Sequence, residues 1–140
     1  MKIISRKINL STKGNGEIIN ITDYVQSELE KTKISTGIVT VFIPGSTGAV
    51  AAMEYEPGLI NDTKDLFKKT VPESNKYSHD STHTNNGNAV SHLRASLVSP
   101  SITIPFEDCS LSLGTWQQVV FIDFDNRPRD RKILLKIIGE

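Results

Sequence analysis

Residues 37–43 read Gly37-Ile38-Val39-Thr40-Val41-Phe42-Ile43, an almost wholly apolar run dense in β-branched side chains. Such side chains are stiff at χ1 and pack well on a pleated surface, so the run predicts a strand. With Thr40 as its only polar residue, it is expected to be a central strand buried on both faces. Pro44-Gly45-Ser46-Thr47-Gly48 interrupts it, and Ala49 to Glu56 resumes an extended pattern.

On the N-terminal side, Ile-rich Lys2 to Leu10 runs into Ser11-Thr12-Lys13-Gly14-Asn15-Gly16. This reads as a strand entering a hairpin whose return is Glu17 to Ile21. Thr22-Asp23 supplies an N-cap, and Tyr24, Val25 and Leu29 follow at helical spacing, predicting a helix over Asp23 to Lys33. On the C-terminal side, Leu59 to Val71 is a second helix, with Asp62 and Asp65 early and Lys68 and Lys69 late. Pro72 to Gly87 is a polar stretch read as a loop, and Asn88 to Val98 as a helix. The last third is β: Ser101 to Phe106, then Thr115 to Phe124 with Trp116, Val120, Ile122 and Phe124 sharing a face. After the turn Asp125-Asn126-Arg127-Pro128 comes a closing strand, Arg131 to Ile138. The expected fold is one α+β domain, residues 1–140, with a mainly antiparallel sheet system and two or three helices.

The chain has 140 residues, enough to bury one core and too few for two. Its 16 basic residues balance 16 acidic ones, which removes the electrostatic footprint of a nucleic-acid binder. No apolar run approaches the roughly 18 residues of a membrane span. The lone Cys109 excludes an intramolecular disulfide, and Met1-Lys2-Ile3-Ile4-Ser5-Arg6-Lys7 does not read as a secretory signal. A cytoplasmic protein is expected.

The histidines His79, His83 and His92 fall in one polar window with Asp80, Asn85, Asn86 and Asn88. Neutral imidazole is the usual ligand for zinc and similar ions, and three with an open fourth position make a catalytic type of site. The spacing matches neither HExxH nor a zinc finger, and a polar loop that merely collects histidines has the same appearance. Pro44 to Gly48 has the small residues of an anion nest, or of a plain turn. Glu54 and Glu56 alternate, so both leave one face about 7 Å apart, as an acid–base pair or as a solvated edge. Arg127, Arg129 and Arg131 alternate too, and could fork onto phosphate or line a solvated face. Gly114-Thr115-Trp116-Gln117 suits the rim of a pocket.

Several blocks in order resemble the YjbQ-like family: Gly45-Ser46-Thr47 before the segment to Glu54, Thr70-Val71-Pro72, Tyr77-Ser78-His79-Asp80, and Ser91-His92-Leu93-Arg94-Ala95-Ser96-Leu97. Ile104-Pro105, Gly114-Thr115-Trp116-Gln117 and the Arg-rich turn before the last strand complete the match. The resemblance implies an α+β fold with a β-sandwich-like core, a homotrimer with sites at subunit boundaries, and a secondary thiamine-phosphate synthase activity linked to bacterial members. It carries catalytic roles to Glu54, His79, His92 and Gln117. Ser46, Thr47, Arg94 and Arg127 become candidate ligands for a small phosphorylated molecule. Many members have a histidine before the hydroxyl pair where this chain has Gly45, and an asparagine where it has Met53. A three-histidine site using that residue cannot form here, which leaves His79, His83 and His92 as the candidate ligands of a zinc or magnesium ion. The alternatives to a synthase-type enzyme are a metal-dependent hydrolase or metal-binding protein, and a non-enzymatic trimeric module that binds a small anion.

Overall fold

The strand buried on both faces is not residues 37–43 but β7, Gln117–Asp123, in which Val119 to Asp123 are all buried. In the computed structural model, which describes residues 1–74, 76–82 and 87–140, β7 is the middle of a three-stranded antiparallel sheet. Its neighbours are β2, Glu17–Asn20, and β4, Gly48–Glu54. A five-stranded antiparallel sheet has the order β1-β8-β3-β5-β6. Its members are β1 (Lys2–Thr12), β3 (Gly37–Phe42), β5 (Ser101–Glu107), β6 (Ser110–Leu111) and β8 (Arg129–Gly139). The helices among the described residues are α1 (Thr22–Glu30), α2 (Pro57–Thr70), α3 (Ser78–Thr82) and α4 (Ala89–Val98). The α+β class and the sandwich-like antiparallel core are as expected, with one helix more, because α3 lies in the segment read as a loop.

Alternation along β7 explains its burial. Val119 and Phe121 point between the sheets, onto Val39 and Val41 of β3 and Ile133, Leu135 and Ile137 of β8, and α1 joins this core through Val25 and Leu29. Val120 and Ile122, with the following Phe124, point the other way, onto Ala95 of α4 and Phe67 of α2. The Phe67 and Phe124 rings meet edge to face at 4.9 Å between centroids. β3 has no helical cover on its outer side, so Ile38 and Phe42 there are 41% and 40% exposed. An uninterrupted apolar run therefore marked a strand with only one buried face.

The expected hairpin between the first two strands does not form. β1 pairs along its length with β8, from Lys2 opposite Gly139 to Thr12 opposite Arg129, while β2 pairs with β7. Gly14, Asn15 and Gly16 all have φ between 56° and 81°, and this left-handed run carries the chain out of one sheet into the other. The Asn15 and Gly16 amides donate to the carbonyls of Asp125 and Asp123, fixing the switch to the end of β7.

Smaller boundaries also move. Ile21 occupies the N-cap position of α1 with no side-chain cap, so Thr22-Asp23 is not the cap. Instead the Thr22 hydroxyl accepts a 2.8 Å hydrogen bond from the Val119 amide, tying α1 to β7. α1 stops at Glu30, short of Lys33, which has φ 56°. Trp116 precedes β7 and is 72% exposed, so it does not share the buried face of Val120, Ile122 and Phe124. Among the described residues no helix is long and apolar enough to cross a membrane.

Because Phe121 fills the space between the sheets, Phe121→Ala should destabilise the fold by about 3–5 kcal/mol. Phe42→Ala, on the bare outer face, should cost much less. Urea unfolding of both variants checks the contrast, read as a lowered midpoint at unchanged slope.

Candidate functional site

The turn joining β3 to β4 is built on a buried charge network. Arg131 of β8 donates from Nε and Nη2 to the two Asp123 carboxylate oxygens, each at 2.8 Å, and from Nη2 to the Thr47 hydroxyl at 2.8 Å. The Thr47 hydroxyl in turn donates to Asp125 Oδ2 at 3.2 Å. Thr12 donates to Asp123 at 2.6 Å, and Arg129 to Asp125 at 2.6 Å. Asp123, Asp125 and Arg131 are 0%, 3% and 5% exposed. Burial pushes the Asp123 carboxyl up, but hydrogen bonds from Arg131, Thr12 and the Asp125 amide outweigh it and hold the group below its ordinary range. Arg131 is raised, first by its hydrogen bonds to Asp123, so the pair is ionised.

This corrects the reading of the alternating arginines. Arg131's fork is filled by a carboxylate of its own chain, and Arg129 is held by Asp125, so neither is a free phosphate clamp or a solvated row. Arg127 alone of the three is exposed. Thr47 likewise has its hydroxyl committed inside the fold, while Ser46 beside it is exposed.

Against that turn stand two of the three histidines. The half-buried rings of His79, on α3, and His92, on α4, meet edge to face with centroids 4.8 Å apart. His92 Nδ1 lies 3.1 Å from the Ser46 carbonyl, an acceptor only, so Nδ1 carries a proton, and in the neutral ring Nε2 has the lone pair. His79 Nε2 lies 3.2 Å from Asn88 Oδ1. Asp80 supports the same corner by accepting the Ala89 amide at the start of α4. Two imidazoles, each oriented by an oxygen on one nitrogen, have the anchoring typical of metal-ligating or proton-moving histidines. His83 lies outside the described residues. Among those described, no three His, Cys, Asp or Glu side chains are grouped to hold a metal ion.

The remaining candidates lie elsewhere in the chain. Glu54 pairs with Gln117 at one end of the β4–β7 ladder, whereas Gly48 pairs with Asp123 at the other. Six residues of strand put Glu54 and Gln117 roughly 20 Å from the histidine corner. Gln117 closes a turn by accepting the Gly114 amide, and Glu54 lines a cavity of about 400 Å³ with Trp116 and Tyr55. Glu56 is no partner for Glu54, since its carboxylate caps α2 by accepting the Gly58 and Leu59 amides. Those two hydrogen bonds lower its pKa. Arg94 is two residues from His92, on the other side of α4. It donates to the Val71 carbonyl at 2.8 and 3.1 Å. Gly45, in place of the expected histidine, has φ 111°, a region that side-chain-bearing residues rarely adopt.

Asp123 is not among the residues the sequence singles out, and Asn88 figures there only as one member of the polar window. Asp123 had a signal: an acid inside Val119-Val120-Phe121-Ile122-Asp123-Phe124 must be buried with a cation if that run is a strand.

Fold and site together define a small α+β protein in which an imidazole pair sits where two helices meet the edge of a sheet. The model of the family described as UPF0047 protein YjbQ-like matches residues 6–140, and the chain belongs to that family. A UPF0047 protein of Archaeoglobus fulgidus is 37% identical over 94% of this chain and 99% of its own length. One from Methanothermobacter thermautotrophicus is 36% identical over 100% of this chain and 95% of its own length. A crystal structure from Sulfolobus solfataricus, described as a YbjQ-like protein of unknown function, superposes with a TM-score of 0.92 at 32% identity and covers 99% of both chains.

Asp123 titrates lower in the folded chain than unfolded, so its stabilisation is full above its ordinary value near about 4 and is lost as pH falls through the lowered one. Thermal unfolding should show a midpoint falling in that acid range, with a shallower fall in Asp123→Asn. Arg131→Met should cost about 3–5 kcal/mol by stranding a buried carboxylate, and Asp123→Asn with Arg131→Met less than the sum of the single changes.

Proposed function

We propose that the His79–His92 corner is a reaction centre that binds a divalent metal ion and acts on a small phosphorylated molecule. The observation that carries this reading is the pair itself: two rings from different helices in contact, with His92 oriented by a main-chain carbonyl. Two nitrogens fall one short of the three protein ligands usual at catalytic zinc, so the set fits only with a further donor. His83, or a residue of another subunit, would supply it. The metal, once bound, would polarise phosphoryl oxygen and stabilise a leaving phosphate or pyrophosphate. His92 Nε2, with its lone pair, is the nitrogen available to take up metal or proton.

We infer a homotrimer as the working form. Ile38, Phe42 and Leu134 on the outer face of the larger sheet are 40–42% exposed, apolar surface of the kind a symmetric interface covers. Glu54 and Gln117, remote from the histidines within one chain, could enter a shared site only from a neighbouring subunit. The reaction to assay first is the thiamine-phosphate-synthase type, in which a thiazole phosphate displaces pyrophosphate from a pyrimidine pyrophosphate.

Elemental analysis of protein purified without a histidine tag should find about one equivalent of metal per chain. Incubation with both substrates and magnesium should give thiamine phosphate above background. His92→Ala should lower metal affinity about tenfold, or about 1.4 kcal/mol, with the trimer intact by light scattering. Metal below about a tenth of an equivalent would remove the centre, and a monomer at micromolar concentration would remove the assembly.

A further inference from the structure

A cavity of about 570 Å³ opens on the side of α4 away from His92, lined by Lys68, Glu73, Ser91, Arg94, Phe124 and the turn residues Asn15 and Asn126, among others. Its volume is that of a small-molecule site. Three features of its wall are those of a binding surface rather than of a packing gap.

First, Arg94 is pinned. Nε and Nη2 donate to the Val71 carbonyl at the end of α2, which fixes the guanidinium plane, and Nη1 makes no hydrogen bond among the described residues. Second, opposite charges share the cavity without neutralising each other. Glu73 forms no ion pair with Arg94 or Lys68, and Lys68's partner is the exposed Asp65 at 3.7 Å. Third, Ser91 is 1% exposed, lines the cavity, and its hydroxyl has no hydrogen-bond partner among the described residues. The buried side-chain atom left unpaired among the described residues is Arg6 Nε, so the Ser91 hydroxyl is open to the cavity and available to a bound group.

We propose that this cavity binds a small zwitterion bearing a carboxylate and an ammonium group, of the amino-acid type. Arg94 Nη1 and Lys68 take the carboxylate, Glu73 takes the ammonium, and Ser91 hydrogen-bonds between them. Phe124, 4% exposed, floors the site with an apolar edge for the ligand's carbon skeleton. A lone anion would meet Glu73's repulsion, and a lone cation that of Arg94 and Lys68. A molecule carrying both charges satisfies both walls. The proposal does not rest on the histidine pair, which faces the opposite side of the helix.

The test is a titration of the full chain, followed by backbone amide NMR. The probes are the standard amino acids one at a time, with acetate, methylamine and inorganic phosphate as single-charge controls, each up to about 10 mM. At least one amino acid should shift the amides of Asn15, Ser91 and Asn126, with a Kd at least about tenfold below that of every control. Glu73→Gln replaces an exposed side chain with no ion pair among the described residues and should fold normally. It should weaken the amino acid about tenfold while leaving acetate unchanged or tighter. Ser91→Ala should weaken the same amino acid without altering the order of the probes. The inference is overturned if no amino acid shifts these amides, if phosphate or acetate binds as tightly as any of them, or if Glu73→Gln leaves the affinity unchanged.

Discussion

One buried ion pair ties the architecture together. Asp123 ends the central strand of the small sheet, Arg131 begins the inward face of the long closing strand, and their two-pronged contact fastens one sheet to the other. A charge pair removed from water is tolerable only when every lone pair and proton finds a partner. Here Thr12 and the Asp125 amide complete the Asp123 carboxylate, and Thr47 takes the second Nη2 proton of Arg131. Each of these partners comes from a different place in the chain: the end of β1, the β3–β4 turn and the β7–β8 turn. The network therefore sets where three chain segments meet, and the turn that carries Ser46 is one of them.

Much of the fold could be read from residue pattern, because the signals that mark strands and helices are local. Val39, Val41, Ile133, Leu135 and Ile137 alternate as strands with one buried face do, and α2 shows its basic end, although it starts at Pro57 rather than Leu59. What stayed hidden depended on distant parts of the chain. A Gly-Asn-Gly turn gives the same signal whether the chain folds back on itself or crosses to another sheet, and only the pairing of β1 with β8 decides between them. Likewise, whether an apolar strand is buried on one face or two depends on what covers it. Residues 37–43 and 117–123 differ less in composition than in the presence of α2 and α4 over the second.

The site was legible in the same uneven way. His79 and His92 were visible as residue types in a polar window, and they do meet. The arginines misled, since their spacing says only that they share a side of a strand, and that side turned out to be the interior for Arg131. Arg94 sits in the same short block as His92, yet two residues along a helix is a half-turn away, so Arg94 lines a cavity on one side of α4 while His92 meets the Ser46 carbonyl on the other. Sequence adjacency and spatial adjacency coincide along strands and turns far more often than around a helix.

His92 is oriented through the carbonyl of Ser46, a group that every amino acid possesses. The ring's direction is therefore indifferent to the side chain at position 46 and sensitive only to the course of the backbone there. That course is set by the buried Thr47 hydroxyl and the left-handed Gly45 on either side. The exposed position between them can change its chemistry, from hydroxyl to amide or acid, without redirecting the imidazole. The loop thus separates the atoms that hold the ring from the side chain exposed beside it, and leaves the second open to evolutionary drift.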